Sequence, residues 1–174
     1  VVEDYYGSPE DVEAVLERFA SAAPGVPFGV NVLDDGAASF ELADRYGAAF
    51  VQMDSVAGHL APADDPGFAD ELAGLRERSD ALLLGGVRFK YQPILSGNSL
   101  AMDLATGLER CDAIVVTGEG TGMETSIERV REFRGLMGGE FPLVVGAGLT
   151  PENGAEALAI AAAAIVGTSL KDTR

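Results

Sequence analysis

Two short glycine-bearing stretches near the end of the chain have the residue types best suited to chemistry. Gly146-Ala147-Gly148 follows the apolar run at residues 142–145 and precedes Thr150-Pro151-Glu152-Asn153. Gly167-Thr168-Ser169 follows a second apolar run at residues 163–166. Backbone N–H groups in such turns, reinforced by the positive end of a following helix dipole, form a binding place for an anion. Two consecutive strand ends of this kind make the phosphate grip found after strands seven and eight of many (β/α)8 barrels. In that reading Gly146, Ala147, Gly148 and Gly167 offer N–H groups, and Thr168 or Ser169 adds a hydroxyl. The plainer reading of either stretch alone is a tight turn.

A second set of residues could act on a ligand held there. Asp54 and Glu3 are carboxylates expected at strand ends, where a partly dry barrel mouth raises a carboxyl pKa and suits it to acid–base work. The alternative for each is a helix cap or an ion pair with Lys90 or Arg88. Lys90 offers a cation for a phosphate or carbonyl oxygen, or a Schiff-base amine, against the ordinary fate of a solvated lysine. Asn31 could hydrogen-bond a ligand hydroxyl, or be a core amide satisfied by backbone. Thr117 and Glu119 lie on a glycine-rich loop placed to close over the site. The single histidine, His59, stands in a loop without a partner in sequence and is read as non-catalytic.

Composition narrows the classes. The chain has 174 residues, 47% of them hydrophobic, which suits one globular domain over residues 1–174. Its formal net charge of −16 leaves no basic stripe to neutralise nucleic-acid phosphates. An anionic ligand must therefore be held by local groups against an unfavourable overall field. No apolar run approaches a membrane span, and no signal peptide is visible, so a cytoplasmic protein is expected. One cysteine, Cys111, excludes an internal disulfide, and with one histidine no metal centre is expected.

The elements that must position these residues follow in order. Residues 1–2 read as the tail of a strand. Ser8-Pro9 with Asp11 three residues after the serine is a capping pattern, and Val12, Val15, Leu16 and Phe19 recur at helical spacing. Residues 27–33 form a strand carrying Asn31, and residues 36–47 an alanine-rich helix ended by a glycine. A third strand is expected at 49–54, a loop at 56–65, and a helix marked by Phe68, Leu72 and Leu75. The fourth strand is at 81–87, followed by a helix marked by Leu100, Leu104 and Leu108. The fifth is at 113–116, followed by a helix through Ile127, Val130 and Met137. The runs at 142–145 and 163–166 are strands six and seven, with Thr150 as N-cap and Pro151 at the first helical position between them. Seven alternations of apolar strand and helix predict a parallel sheet covered by helices. Polar residues at nearly every strand end favour an α/β (β/α)8 TIM barrel, with about seven of its eight strands present, over a doubly wound sheet.

At residues 29–33 (GVNVL), 116–122 (VTGEGTG), 144–153 (VVGAGLTPEN) and 165–171 (IVGTSLK) the chain resembles the BtpA/SgcQ family. The resemblance runs in order along nearly the whole length and implies a barrel of the ribulose-phosphate-binding type. It associates one member class with photosystem I biogenesis and another with a sugar-related operon, and does not settle a reaction. Members begin with an additional strand and helix and continue beyond the position of Lys171, so this chain reads as shortened at both ends. They also carry an aspartate where Gly86 stands, a histidine where Tyr91 stands and an asparagine where Asp54 stands, whereas Lys90 is kept. The resemblance thus implies a retained ligand class with altered chemistry.

Two function classes stay open. One is an enzyme acting on a phosphorylated sugar or nucleotide-like metabolite as an isomerase, lyase or transferase. The other is a non-catalytic ligand-binding or assembly factor on the same fold. No resident cofactor is required, although flavin mononucleotide would suit the same phosphate grip. A seven-strand set leaves parallel edges to cover, so an upstream strand, a partner or a homo-oligomer is expected.

Overall fold

A computed structural model describes residues 2–4, 8–22, 25–118, 123–167 and 170, and of residues 2–4 the backbone alone. The calls on Glu119, Thr168 and Ser169, and on the side chain of Glu3, lie outside what it describes. The fold is an α/β TIM-barrel fold built of alternating strands and helices. Among the described residues these are β1 (Val2–Asp4), α1 (Pro9–Ala22), β2 (Gly29–Val32), α2 (Gly36–Tyr46), β3 (Phe50–Ala57), α3 (Asp65–Glu77) and β4 (Leu82–Val87). They continue as α4 (Leu100–Arg110), β5 (Ala113–Val116), α5 (Ile127–Met137), β6 (Leu143–Val145), α6 (Gly154–Leu158) and β7 (Ala163–Ala164). The strand order is β1-β2-β3-β4-β5-β6-β7, and β1·β2, β2·β3, β5·β6 and β6·β7 pair in parallel.

The chain packs as two compact units, Val1–Met53 with Asp64–Leu84, and Asp54–Ala63 with Gly85–Arg174. In the first, Val12 and Leu16 stand one turn apart on α1 and are both buried, as are Val30, Phe40, Ala43, Val51 and Leu72. Ser8 and Asp11 make the reciprocal cap that starts α1: Ser8 N–H donates to Asp11 Oδ2 at 2.9 Å and Asp11 N–H to Ser8 Oγ at 3.4 Å. Asp35 accepts from Ala38 N–H at 2.8 Å to open α2, and Gly47 closes it in the left-handed region at φ 68°. In the second unit every residue of β5 and β6 is buried, as strands covered on both faces must be. Phe133, Leu104, Ile114 and Leu143 are fully enclosed there, and Cys111 is core, its Sγ donating to Gly107 O at 3.1 Å.

Three boundaries differ from the sequence expectation. β3 runs to Ala57, not to residue 54, because Ser55, Val56 and Ala57 are buried and continue the strand. Asp54 therefore lies within the strand and not at its end. The helix after β6 begins at Gly154: Thr150 N–H donates to Asn153 Oδ1 at 2.8 Å and Gly154 N–H to Thr150 O at 2.9 Å, closing a turn where a helix start was expected. β7 spans two residues, one exposed and one half-buried, so the apolar run at 163–166 is not an enclosed strand.

Candidate functional site

The second unit gathers the C-terminal ends of β4, β5 and β6. After β4 the chain turns sharply, with Arg88 at φ 50° and Tyr91 at φ 63°. Side chains other than glycine avoid this region, so the turn is held by its contacts. Phe89, 4% exposed, plugs the core beneath it. Arg88 Nε donates to Asp103 Oδ2 at 2.8 Å, and its second nitrogen donates to Asn98 O at 2.7 Å. Asn98 Nδ2 completes the triangle by donating to Asp103 Oδ1 at 3.2 Å. Two glycines make room for this turn. A Cβ on Gly58 would stand 2.9 Å from Asp103 Oδ2, and one on Gly86 would overlap the Asp54 carbonyl oxygen. Gly86 therefore sits where the backbone of β3 leaves no room for a side chain.

Lys90 is anchored through its backbone, whose N–H donates to Thr117 Oγ1 at 3.0 Å. Thr117, 2% exposed, is thus a structural tie between the ends of β4 and β5. Its carbonyl accepts from Arg129 Nε at 3.0 Å, and Arg129 also donates to Arg88 O at 3.3 Å. The Lys90 ammonium lies 5.6 Å from the Phe89 ring centre, and the Arg129 guanidinium 5.0 Å from that of Phe133. The result is an open cleft of ≈ 860 Å³ beyond β4 and β5. Arg88, Lys90 and Arg129 supply its positive charge, and Glu124, Glu128 and Glu132 its negative charge. Tyr91, Ile94 and Met123 add apolar surface. Asp54 is not among the residues lining it.

The glycine turn after β6 is built differently from a bare anion cradle. Gly146 N–H donates to Val116 O at 2.7 Å, so this group is spent on the backbone. A Cβ there would stand 2.6 Å from Val115 Cγ1. Gly148, at φ +72°, leaves no space for any side chain, because a Cβ would overlap the Met123 carbonyl oxygen and Glu124 Cα. Thr125 Oγ1 donates to Ala147 O at 2.9 Å, and Asn153 Nδ2 donates to Gly148 O at 3.0 Å and Glu124 Oε1 at 3.1 Å. The turn thus backs the 123–124 segment that lines the cleft. The N–H groups of Ala147 and Gly148 have no bonded acceptor among the described residues. Gly167 is exposed, with no neighbour close to where a side chain would be.

The remaining expected residues lie in the first unit. Asn31, 2% exposed, is interior to β2, where it is the register partner of Glu3. Reading the sequence missed Asp103, Asn98 and Arg129 as organisers of the site. Ser126, which caps α5 by accepting from Arg129 N–H at 3.2 Å, was the nearest local sign of Arg129. Among the described residues no three His, Cys, Asp or Glu side chains are grouped to hold a metal ion. No helix among them is long and apolar enough to cross a membrane.

Comparison with known proteins supplies relatives. An uncharacterized protein of Pyrococcus abyssi is 31% identical over 165 residues, covering 91% of this chain and 62% of the relative. One of Thermococcus kodakarensis is 31% identical over 166 residues with the same coverage. The chain thus spans about three-fifths of the length of these relatives. Among solved structures, phosphoribosylanthranilate isomerase of Thermotoga maritima superposes with a TM-score of 0.56 at 21% identity, covering 95% of this chain and 71% of that one. A native KDPGal structure does so with a TM-score of 0.53 at 14% identity, covering 92% and 65%. These likenesses carry the barrel fold. The BtpA family model matches residues 13–173.

Proposed function

The chain belongs to the BtpA family, and from that premise and the cleft beyond β4 and β5 we propose a phosphate-binding barrel enzyme. Its substrate in this reading is a phosphorylated sugar or nucleotide-like metabolite, and its reaction an isomerisation, lyase or transfer step. The observation that carries the reading is the placement of Lys90 with Arg88 and Arg129 at one cleft, in a chain of net charge −16. Three cations gathered with three carboxylates at one cleft can bind an anion and move a proton, and the C-terminal strand ends are where such barrels work. The Lys90 ammonium is the cation assigned to the anion, because Lys90 lines the cleft on a backbone fixed by Thr117. Glu124, Glu128 and Glu132 are the carboxylates within reach for proton transfer. Flavin mononucleotide enters as an alternative occupant through its phosphate, and a yellow purified protein would reveal it.

The test compares ribose 5-phosphate with ribose in a thermal-shift titration. A ligand at about a hundred times its Kd stabilises by about 2.7 kcal/mol, or roughly 5–10 °C for a domain of this size. We expect that rise for the phosphorylated sugar alone. Lys90→Met should weaken it about tenfold or more, the loss of one hydrogen bond to a charged group. Equal responses to both sugars, or an unchanged affinity in Lys90→Met, would sink the reading. Binding with no turnover of any phosphorylated metabolite would favour the non-catalytic role instead.

A further inference from the structure

The cleft holds more than charge. Tyr91 is 69% exposed, Ile94 56% and Met123 53%, and all three line it. Single exposed apolar residues need no explanation, but three on the wall of one cleft that also carries Lys90 form an amphipathic site. Tyr91 is the most telling of them. A bulky aromatic residue at φ 63° is a backbone outlier, and outliers that persist are over-determined by their surroundings. Here the bracing is on the page: the Arg88–Asp103–Asn98 triangle fixes one side of the turn and the Lys90–Thr117 bond the other. The neighbouring aromatic, Phe89, is buried, so the turn puts one ring into the core and the other at the cleft.

We propose that Tyr91 is the stacking platform for a planar, unsaturated ring in the ligand, with Ile94 and Met123 enclosing the ring's edge. The ligand class is then a phosphorylated molecule that carries such a ring, as a nucleotide or a ring-bearing phosphate ester does, and not a simple sugar phosphate. This deepens the phosphate reading and rests on it for the anionic part alone. Stacking on an aromatic side chain tolerates many rings, because each presents a π-face.

Isothermal titration with three probes separates the two claims: ribose 5-phosphate has the anion without a ring, adenosine the ring without an anion, and adenosine 5′-monophosphate both. We expect adenosine 5′-monophosphate to bind about tenfold or more tightly than ribose 5-phosphate. Tyr91→Gly should remove that advantage, and Tyr91→Phe should keep it. Tyr91→Gly suits the positive φ, so a melting temperature no lower than that of the parent will show that the turn still folds. If ribose 5-phosphate matches adenosine 5′-monophosphate, or Tyr91→Gly binds the nucleotide as the parent does, the ring proposal is overturned and the phosphate reading stands. If adenosine binds in a Tyr91-dependent way and as tightly as adenosine 5′-monophosphate, the ring proposal stands and the phosphate reading falls. Absence of binding by all three overturns both.

Discussion

Asp103 shows how burial sets the worth of an ion pair. Its side chain is 1% exposed and that of Arg88 18%, so solvent cannot replace either partner. Arg131 and Glu156 make an ion pair of the same 2.8 Å length, but with side chains 56% and 58% exposed. Removing one partner of a buried pair costs about 3–5 kcal/mol, whereas an exposed pair is worth about 0–1 kcal/mol. Asp103→Ala should therefore lower the unfolding free energy by about 3 kcal/mol, and Glu156→Ala by about 0.5 kcal/mol at most. Urea denaturation of both variants checks this, and similar losses would show that the Arg88 triangle is not the brace described. Gly148 makes a second point at this scale. Its glycine is required by the positive φ and by the backbone of 123–124, before any ligand is considered.

Elements are joined through a few such residues. Glu13 on α1 accepts from both Arg45 and the Tyr46 hydroxyl at the end of α2, the latter at 3.1 Å. Partial burial, and then the hydrogen bond to Glu13, raise the Tyr46 phenol above its ordinary value of 10.0. A group whose pKa is raised by folding lends stability that is complete below the unfolded value and is lost as pH rises through the folded one. The parent should therefore lose stability more steeply than Tyr46→Phe as pH rises above about 10. Denaturant midpoints across that range measure the difference, and parallel curves would refute the coupling. Thr117 does for β4 and β5 what Glu13 does for α1 and α2: one side chain, placed by one strand, positions the backbone of the next loop.

For the whole molecule the governing quantity is charge. With a net charge of −16 and an isoelectric point near 4.2, self-repulsion at neutral pH opposes non-specific aggregation. That protection vanishes as carboxylates are protonated, so turbidity should be greatest near pH 4.2 and fall on either side. A turbidity scan at fixed protein concentration tests it, and a maximum at neutral pH would point to an exposed apolar surface as the cause. The same field works against an anionic ligand, which is why the local arrangement of Lys90 and its neighbours must supply the attraction.

The sequence by itself determined the alternation of strands and helices, the family and the barrel fold. It also determined local devices such as the Ser8–Asp11 cap and the glycine end of α2. These depend on period and on neighbours within three or four residues, so they are written along the chain. Only the tertiary structure decided which groups meet. Arg88 finds Asp103 fifteen residues on and Arg129 reaches Arg88 O across forty-one, contacts created by strand pairing and loop packing. The same cause put Asp54 inside β3 and bound Gly146 N–H to Val116 O, so that one N–H that looked like a site group has a backbone role. Tyr91 stood in the sequence as a departure from a family pattern. Its φ, which turns that departure into a ring at a cleft, comes from the braces on either side of the turn and not from the residues next to it.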